Sequence, residues 1–351
     1  MAEPADEPGD GPGLAALVPK PAAERAEREL SALGVYDETR GIETYDEDRV
    51  ALPVRGDTPA DREGTVEAVA AVESVVAHAL PSRDRTLADR LRARGWSEAD
   101  IARAPGSWAV IGTVLLADFD DCPRPAEVAD ALLELHGEAD TVLDRGPVVG
   151  RTRDPDVRVL AGTGDTETVH TEHGTRYALD LAETMFSPGN KAERARMGDA
   201  VAPDERVFDM FAGVGYFALP MARAGATVVA AELDPTTYRY LVENAVLNDV
   251  TDRFRAVRAD CADVDLAPVD RVVMGHYDAH ERLPTAVAAL RPGGRLHMHE
   301  ATPEAELPDR PVERVEAAAA DAGRSCAVRD VREVKSHAEG VQHVVVDAVI
   351  E

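Results

Sequence analysis

The sequence predicts an α/β protein whose C-terminal part, residues 186–351, is a Rossmann-like doubly wound sheet preceded by smaller α+β domains. Three observations predict it. From Phe186 onward, short apolar runs alternate with stretches of helical length; a glycine pair follows the first run; and acidic residues stand at the ends of the next two. Such alternation is satisfied by a mostly parallel sheet with helices on both faces.

Taken in order, residues 1–13 (MAEPADEPGDGPG) form a Pro/Gly/acid tail expected to be disordered. Residues 14–82 read as a small α+β domain: a charged helix over Pro21–Leu33, a strand around Val50–Val54 and a helix over Thr65–Leu80. The breaker Pro81-Ser82-Arg83-Asp84 marks a boundary. Residues 83–185 read as a second α+β module with helices at Leu87–Arg94 and Pro125–Leu135. Its strands are expected at Ser107–Leu116 and near Val142, Arg158–Leu160 and Glu167–His170. In the final domain, strands are expected at Arg206–Asp209, Thr227–Ala231, Phe254–Arg258, Val269–Met274 and Gly294–His299. Helices fall between them, and Pro311–Ala322 precedes two last strands at Ala327–Val334 and Gln342–Val349.

The chain of 351 residues is longer than one ordinary domain, and 44% hydrophobic residues suffice for real cores. No apolar run approaches a membrane span. The acidic start lacks the basic end and apolar core of a signal peptide, which predicts a cytoplasmic protein. Cys122, Cys261 and Cys326 are too scattered for a disulfide framework or a zinc site, and no metal is expected. Lys plus Arg number 38 against 66 Asp plus Glu, a formal charge of −28, and the only lysines are Lys20, Lys191 and Lys335. Acid spread along a lysine-poor chain is the composition of a protein working in molar salt. At such salt the long-range attraction of phosphates is lost in any case, so the charge does not exclude a nucleic acid partner.

Three stops carry the chemistry. In Val207-Phe208-Asp209-Met210-Phe211-Ala212-Gly213-Val214-Gly215, an apolar strand ends in Asp209, and Gly213 and Gly215 let the backbone bend beneath a ligand. A tight structural turn explains such a pair about as well, and the third glycine of a dinucleotide fingerprint is missing. Glu232 closes the next strand roughly 20 positions on, where an acid takes a ribose hydroxyl pair. Asp260 and Cys261 follow the third strand, where an acceptor meets an adenine edge. The three in order, at the carboxyl ends of successive strands, specify S-adenosylmethionine better than NAD.

The run Phe186-Ser187-Pro188-Gly189-Asn190-Lys191-Ala192-Glu193-Arg194, followed by the Asp209–Gly215 turn, resembles a group of archaeal and eukaryotic tRNA enzymes acting at or next to guanosine 37. Val18-Pro19-Lys20 and Gly106-Ser107-Trp108 fit the same group, so the resemblance covers most of the chain. One branch comprises the guanine-N1-methyltransferases. The other comprises the wybutosine-pathway aminocarboxypropyltransferases, which move the 3-amino-3-carboxypropyl arm of adenosylmethionine onto 4-demethylwyosine of tRNA(Phe). The methyltransferases typically carry an arginine after Phe-Ser-Pro and an Asn-x-Pro tetrapeptide after the fourth strand. Here those places read Gly189-Asn190 and Val273-Met274-Gly275-His276-Tyr277-Asp278. The ending Leu296-His297-Met298-His299-Glu300 is similar to the histidine-bearing end of the transferase branch.

The resemblance implies adenosylmethionine contacts at Ser187, Arg194, Glu232, Asp260 and Cys261, beside the turn residues Asp209, Phe211, Gly213 and Gly215. Arg194 is expected to meet the methionine carboxylate. The resemblance also implies the anticodon stem-loop of tRNA(Phe) as partner, with no membrane and no stable protein partner. Arg83, Arg85, Arg90, Arg92 and Arg94 cluster as RNA contacts, or equally as a solvated helix face. His297 and His299 share one side of a strand and read as core or site-wall residues. A sulfonium is a good leaving group, so alignment, more than acid–base chemistry, selects which carbon reacts. No catalytic residue is assigned on that basis; Asn190, His276 and His299 are the candidates lining the site. Methyl transfer to guanosine 37, methyl transfer to a protein or small molecule, and a non-catalytic module holding adenosylmethionine or tRNA stay open as rivals.

Overall fold

The chain enters its first sheet earlier than the acidic start suggests. In the computed structural model, which describes residues 13–46, 48–56, 66, 69–80, 86–150 and 154–351, Gly13 is already in a strand. Two units result, residues 1–101 and 102–351. The expected tail over residues 1–12, the breaker at 81–84, and Arg83 and Arg85 lie outside the described residues.

In the first unit, β1 (Gly13–Pro19), β2 (Glu43–Thr44), β3 (Arg49–Val54) and β4 (Ser74–His78) form a sheet in the order β2–β3–β1–β4. β1 runs antiparallel to β3 and β4. Its central place requires apolar residues on both faces, and Leu14 through Val18 are all buried. Helix α1 (Ala23–Ala32) adds Ala26 and Leu30 to the core of one face. The helix expected over Thr65–Leu80 is corrected at 74–78, which is strand. Val75 and Val76 are β-branched, and pairing with β1 satisfies their backbone. Helix α2 (Leu87–Ala93) starts at Thr86, whose Oγ1 accepts the Asp89 N–H at 3.1 Å while Asp89 accepts the Thr86 N–H at 3.2 Å. Arg92 pairs with Asp89 at 2.9 Å and with Glu98, in α3 (Glu98–Ile101), at 2.6 Å. It thus follows the solvated-face alternative.

In the second unit, β5 (Trp108–Ile111) and β6 (Val114–Ala117) are two antiparallel strands where one was expected, folded back at Gly112-Thr113. After α4 (Pro125–Leu135), β7 (Thr141–Val149) and β8 (Asp154–Gly162) complete the order β5–β6–β7–β8. β9 (Glu167–Glu172) and β10 (Thr175–Asp180) form a separate hairpin. The boundary expected at 185/186 does not divide the core. Ile111, Val114, Leu143 and Tyr177 are in one apolar cluster with Val207 and Phe217.

After α5 (Lys191–Ala200) the expected alternation is realised. The strands are β11 (Arg206–Asp209), β12 (Thr227–Glu232), β13 (Phe254–Arg258), β14 (Val269–Met274), β15 (Leu290–Pro303), β16 (Cys326–Ala338) and β17 (Val341–Ile350). Their order is β13–β12–β11–β14–β15–β17–β16; the first five are mutually parallel, and β17 runs antiparallel to both neighbours. Helices α6 (Ala218–Arg223) and α7 (Pro235–Leu247) bury one face, and α8 (Leu283–Ala289) and α9 (Asp309–Asp321) the other. The strand order reverses between β11 and β14, and a crevice at the carboxyl ends is the consequence.

Candidate active site

That crevice is a cavity of about 670 Å³, within the range of small-molecule sites. Its floor is the turn after β11. The turn is pinned by Met210 N–H to Val273 O at 3.0 Å and Ala212 N–H to Ala231 O at 2.9 Å. Gly213 sits at φ +57°, and a Cβ there would lie 2.3 Å from the Tyr216 ring. Gly215, at φ +104°, would push its Cβ to 2.5 Å from Leu219. Both positions require glycine.

Glu232 stands at the end of β12 and reaches back beneath the turn. Its Oε2 accepts the Gly213 N–H at 2.9 Å and its Oε1 accepts the Asp234 N–H at 2.8 Å. Each oxygen keeps a second lone pair for a ligand hydroxyl. Burial raises the Glu232 pKa against these backbone bonds. Asp260 accepts the Ala262 N–H at 3.1 Å and Arg282 at 3.0 Å; these hold its carboxyl below the ordinary range. Burial pushes the neighbouring Cys261 thiol up to about 11, which leaves it a protonated wall residue.

Ser187, Asn190 and Arg194 also line the cavity. Arg194, expected to meet the methionine carboxylate, lines the cavity and is already paired within the protein. It is 2% exposed, with Nε and Nη2 donating to Glu172 at 2.6 and 2.8 Å, and Nη1 donating to the Ser187 carbonyl at 3.0 Å. Its charge is balanced, and it holds the Ser187 turn in place. The His170 ring, 3.1 Å away, and the Arg194 guanidinium keep the Glu172 carboxyl down at about 2 against burial. Lys335 Nζ donates to Ser187 Oγ at 2.6 Å.

Aromatic rings complete the wall. Phe211 and His276 lie 5.4 Å apart with planes 31° from parallel, and Tyr216, Phe217 and Tyr277 also line the cavity. His299 does not line it; it lies behind His343, which does, with its Nδ1 2.9 Å from His343 Nε2. His297 is held apart, between Arg271 and Asp347. Among the described residues, no three His, Cys, Asp or Glu side chains converge to hold a metal ion, and no helix is long and apolar enough to cross a membrane.

The residues present fit a nucleoside donor carrying an amino-acid arm. Asn190 Oδ1 and Asp209 Oδ2 are among the buried polar atoms with no hydrogen-bond partner in the protein. The first lines the cavity and the second lies just beneath the glycine turn. Asn190 Oδ1 suits an N–H or O–H donor of such a ligand. Of the expected contacts, Ser187, Arg194, Phe211, Gly213, Glu232, Asp260 and Cys261 line the cavity, as do Asn190 and His276. Asp209 and Gly215 support it from below. Sequence reasoning missed Glu172, Arg282, Tyr277 and His343, which stand alone in their segments and acquire meaning only across the sheet.

Complete burial lifts Asp209 from 3.8 to about 7. The folded state therefore holds a proton that the unfolded chain has released, and stability falls as pH rises across that window. Asp209→Asn is expected to reduce the slope, gaining melting temperature over wild type at pH 8 but not at pH 4. Equal differences at the two pH values would contradict the assignment.

The TRM5/TYW2 methyltransferase domain matches residues 168–347, and the TYW2 N-terminal domain matches residues 87–166. The tRNA(Phe) (4-demethylwyosine(37)-C(7)) aminocarboxypropyltransferase of Pyrococcus horikoshii is 40% identical over 248 residues, covering 69% of this chain and 88% of that protein. The tRNA (guanine(37)-N(1))-methyltransferase Trm5b of Pyrococcus abyssi is 30% identical over 248 residues, covering 69% and 74%. The crystal structure of Pyrococcus horikoshii TYW2 in complex with MeSAdo superposes with a TM-score of 0.66 at 35% identity, over 75% of this chain and 97% of that one. The fold is that of an S-adenosylmethionine-dependent methyltransferase with an N-terminal extension, and the chain belongs to the TRM5/TYW2 methyltransferase-domain family.

Proposed function

We propose that this protein transfers the 3-amino-3-carboxypropyl group of S-adenosylmethionine onto carbon 7 of 4-demethylwyosine at position 37 of tRNA(Phe), releasing methylthioadenosine. The observation that carries the reading is the cavity wall after β14. Gly275, His276, Tyr277 and Asp278 line it, where the methyltransferase branch is expected to present Asn-x-Pro to its guanine. The higher identity to the aminocarboxypropyltransferase than to the methyltransferase, 40% against 30% over 248 residues each, points the same way.

The donor's sulfonium can release any of its three carbons, and the site selects among them by alignment. Glu232 and Asp260 hold the nucleoside end. The Ser187 turn, braced by Arg194 and Lys335, faces the arm. The ring wall of Phe211, His276 and Tyr277 offers stacking surface to a flat base drawn out of the anticodon loop. Nucleoside mass spectrometry of tRNA(Phe) from a strain deleted for the gene tests this. Loss of the aminocarboxypropyl derivative with accumulation of 4-demethylwyosine is the expected result. Loss of 1-methylguanosine instead would assign the methyltransferase reaction, and unchanged tRNA would reject both.

A further inference from the structure

Departure of methylthioadenosine needs no acid, but the nucleophile in this reaction is a ring carbon that carries a hydrogen. The new bond from carbon 7 to the arm's γ-carbon forms as the γ-carbon–sulfur bond breaks, and the sulfur keeps that electron pair. The ring is then cationic, and it regains aromaticity only when the carbon 7 proton leaves. A base must receive it.

Resting on the transfer reading above, we propose that His343 is the catalytic base that removes the carbon 7 proton, with His299 as the residue that positions it. Of the two histidines that line the cavity, His276 spends its Nδ1 lone pair on the Asp278 N–H at 3.1 Å, which selects His343. Asp278, Glu281 and Arg282 follow one another on the segment that Arg282 ties to Asp260, at the nucleoside end. Glu232 is engaged beneath the glycine turn. His343 is on β17, directly across from Lys335, and the Lys335 ammonium is bound to Ser187 at the end that faces the arm.

The ring is also held. It is 1% exposed, with the Tyr277 ring edge-on at 4.9 Å and its Nε2 2.9 Å from His299 Nδ1. His299 is itself buried against Phe217 at 5.0 Å, and burial pushes its pKa down to about 4. In the proposed pairing a neutral His299 is protonated on Nε2, and its Nδ1 accepts the His343 Nε2–H. That tautomer leaves the basic lone pair of His343 on Nδ1. As the proton arrives, the Nε2–H bond to His299 becomes charge-assisted and stabilises the imidazolium.

The test uses the full-length protein with tRNA(Phe) carrying 4-demethylwyosine, protiated or deuterated at carbon 7, and adenosylmethionine labelled in the aminocarboxypropyl arm. His343→Gln keeps an amide N–H for His299 and has no basic nitrogen. It is expected to lower kcat about a hundredfold or more, to leave KM for donor and tRNA within about threefold, and to expose a primary deuterium isotope effect absent from wild type. His299→Phe should lower kcat less and show the same isotope effect. Calorimetric binding of methylthioadenosine to each variant verifies that the site is intact. A His343→Gln enzyme with wild-type kcat, or one whose loss lies in KM or in methylthioadenosine binding, overturns the proposal while leaving the transfer reading standing. Wild-type enzyme that yields 1-methylguanosine and no aminocarboxypropyl product overturns the transfer reading, and the proposal with it.

Discussion

Glu172→Leu is expected to destabilise the second unit by about 3–5 kcal/mol, the usual cost of removing one partner of a buried ion pair. Glu172 and Arg194 are each 2% exposed at the side chain and joined by two hydrogen bonds. Around the guanidinium stand the rings of Phe186, at 4.7 Å from Cζ to the ring centre, and Tyr216, at 6.0 Å. At 2% exposure, little solvent reaches the guanidinium to take up the charge once the carboxylate is gone. Glu172→Leu combined with Arg194→Met removes both charges and is expected to recover most of the loss, since apolar replacements of a buried pair are often neutral. Urea unfolding at constant molar salt measures this. A single variant as stable as wild type would mean that the pair does not hold the site together. The double variant has a second use: if Arg194 serves donor binding through its remaining N–H groups, adenosylmethionine affinity stays low after stability returns.

The Arg194 result shows where sequence stops being informative. Strands β11 to β14 were legible to within a residue or so because each is a short apolar run closed by polar residues, and the topology of alternating strands and helices follows from chain direction alone. The places of the glycine turn, Glu232 and Asp260 in the cavity were legible for the same reason, since they follow from where successive strands end. Arg194 was legible as a site residue but not as a balanced one. Its partner, Glu172, sits 22 residues earlier at the end of a hairpin strand, and nothing in either segment announces the pairing. His299 and His343 are 44 residues apart on separate strands, and only the antiparallel return of β17 beside β15 makes them neighbours. The β4 error has another cause. A segment with valines at mixed spacing was read as a helix, and the unpaired side of β1, which favoured a strand there, is a tertiary feature.

Glu232→Ala is expected to weaken methylthioadenosine binding by about two to four orders of magnitude. Two charge-assisted hydrogen bonds from a ribose hydroxyl pair, at about 1.5–3 kcal/mol each, set that range. Methylthioadenosine is the informative ligand because it lacks the transferred arm, so the measurement isolates the nucleoside end from Ser187, Asn190 and Arg194. The same carboxylate also accepts the Gly213 and Asp234 N–H groups, so its removal costs some folding stability as well. Asp234→Ala provides the comparison. Asp234 caps α7 by accepting the Thr237 N–H at 2.7 Å and does not line the cavity, so its loss costs about 1 kcal/mol of stability and little affinity. The pH dependence has a definite sign. Burial raises the Glu232 pKa, so on acidification methylthioadenosine affinity declines earlier than it would with an exposed glutamate. Titration calorimetry at two pH values reads both effects. A Glu232→Ala protein that binds within threefold of wild type would show that the carboxylate serves the glycine turn alone, and the nucleoside would then have to be held from the Asp260 side.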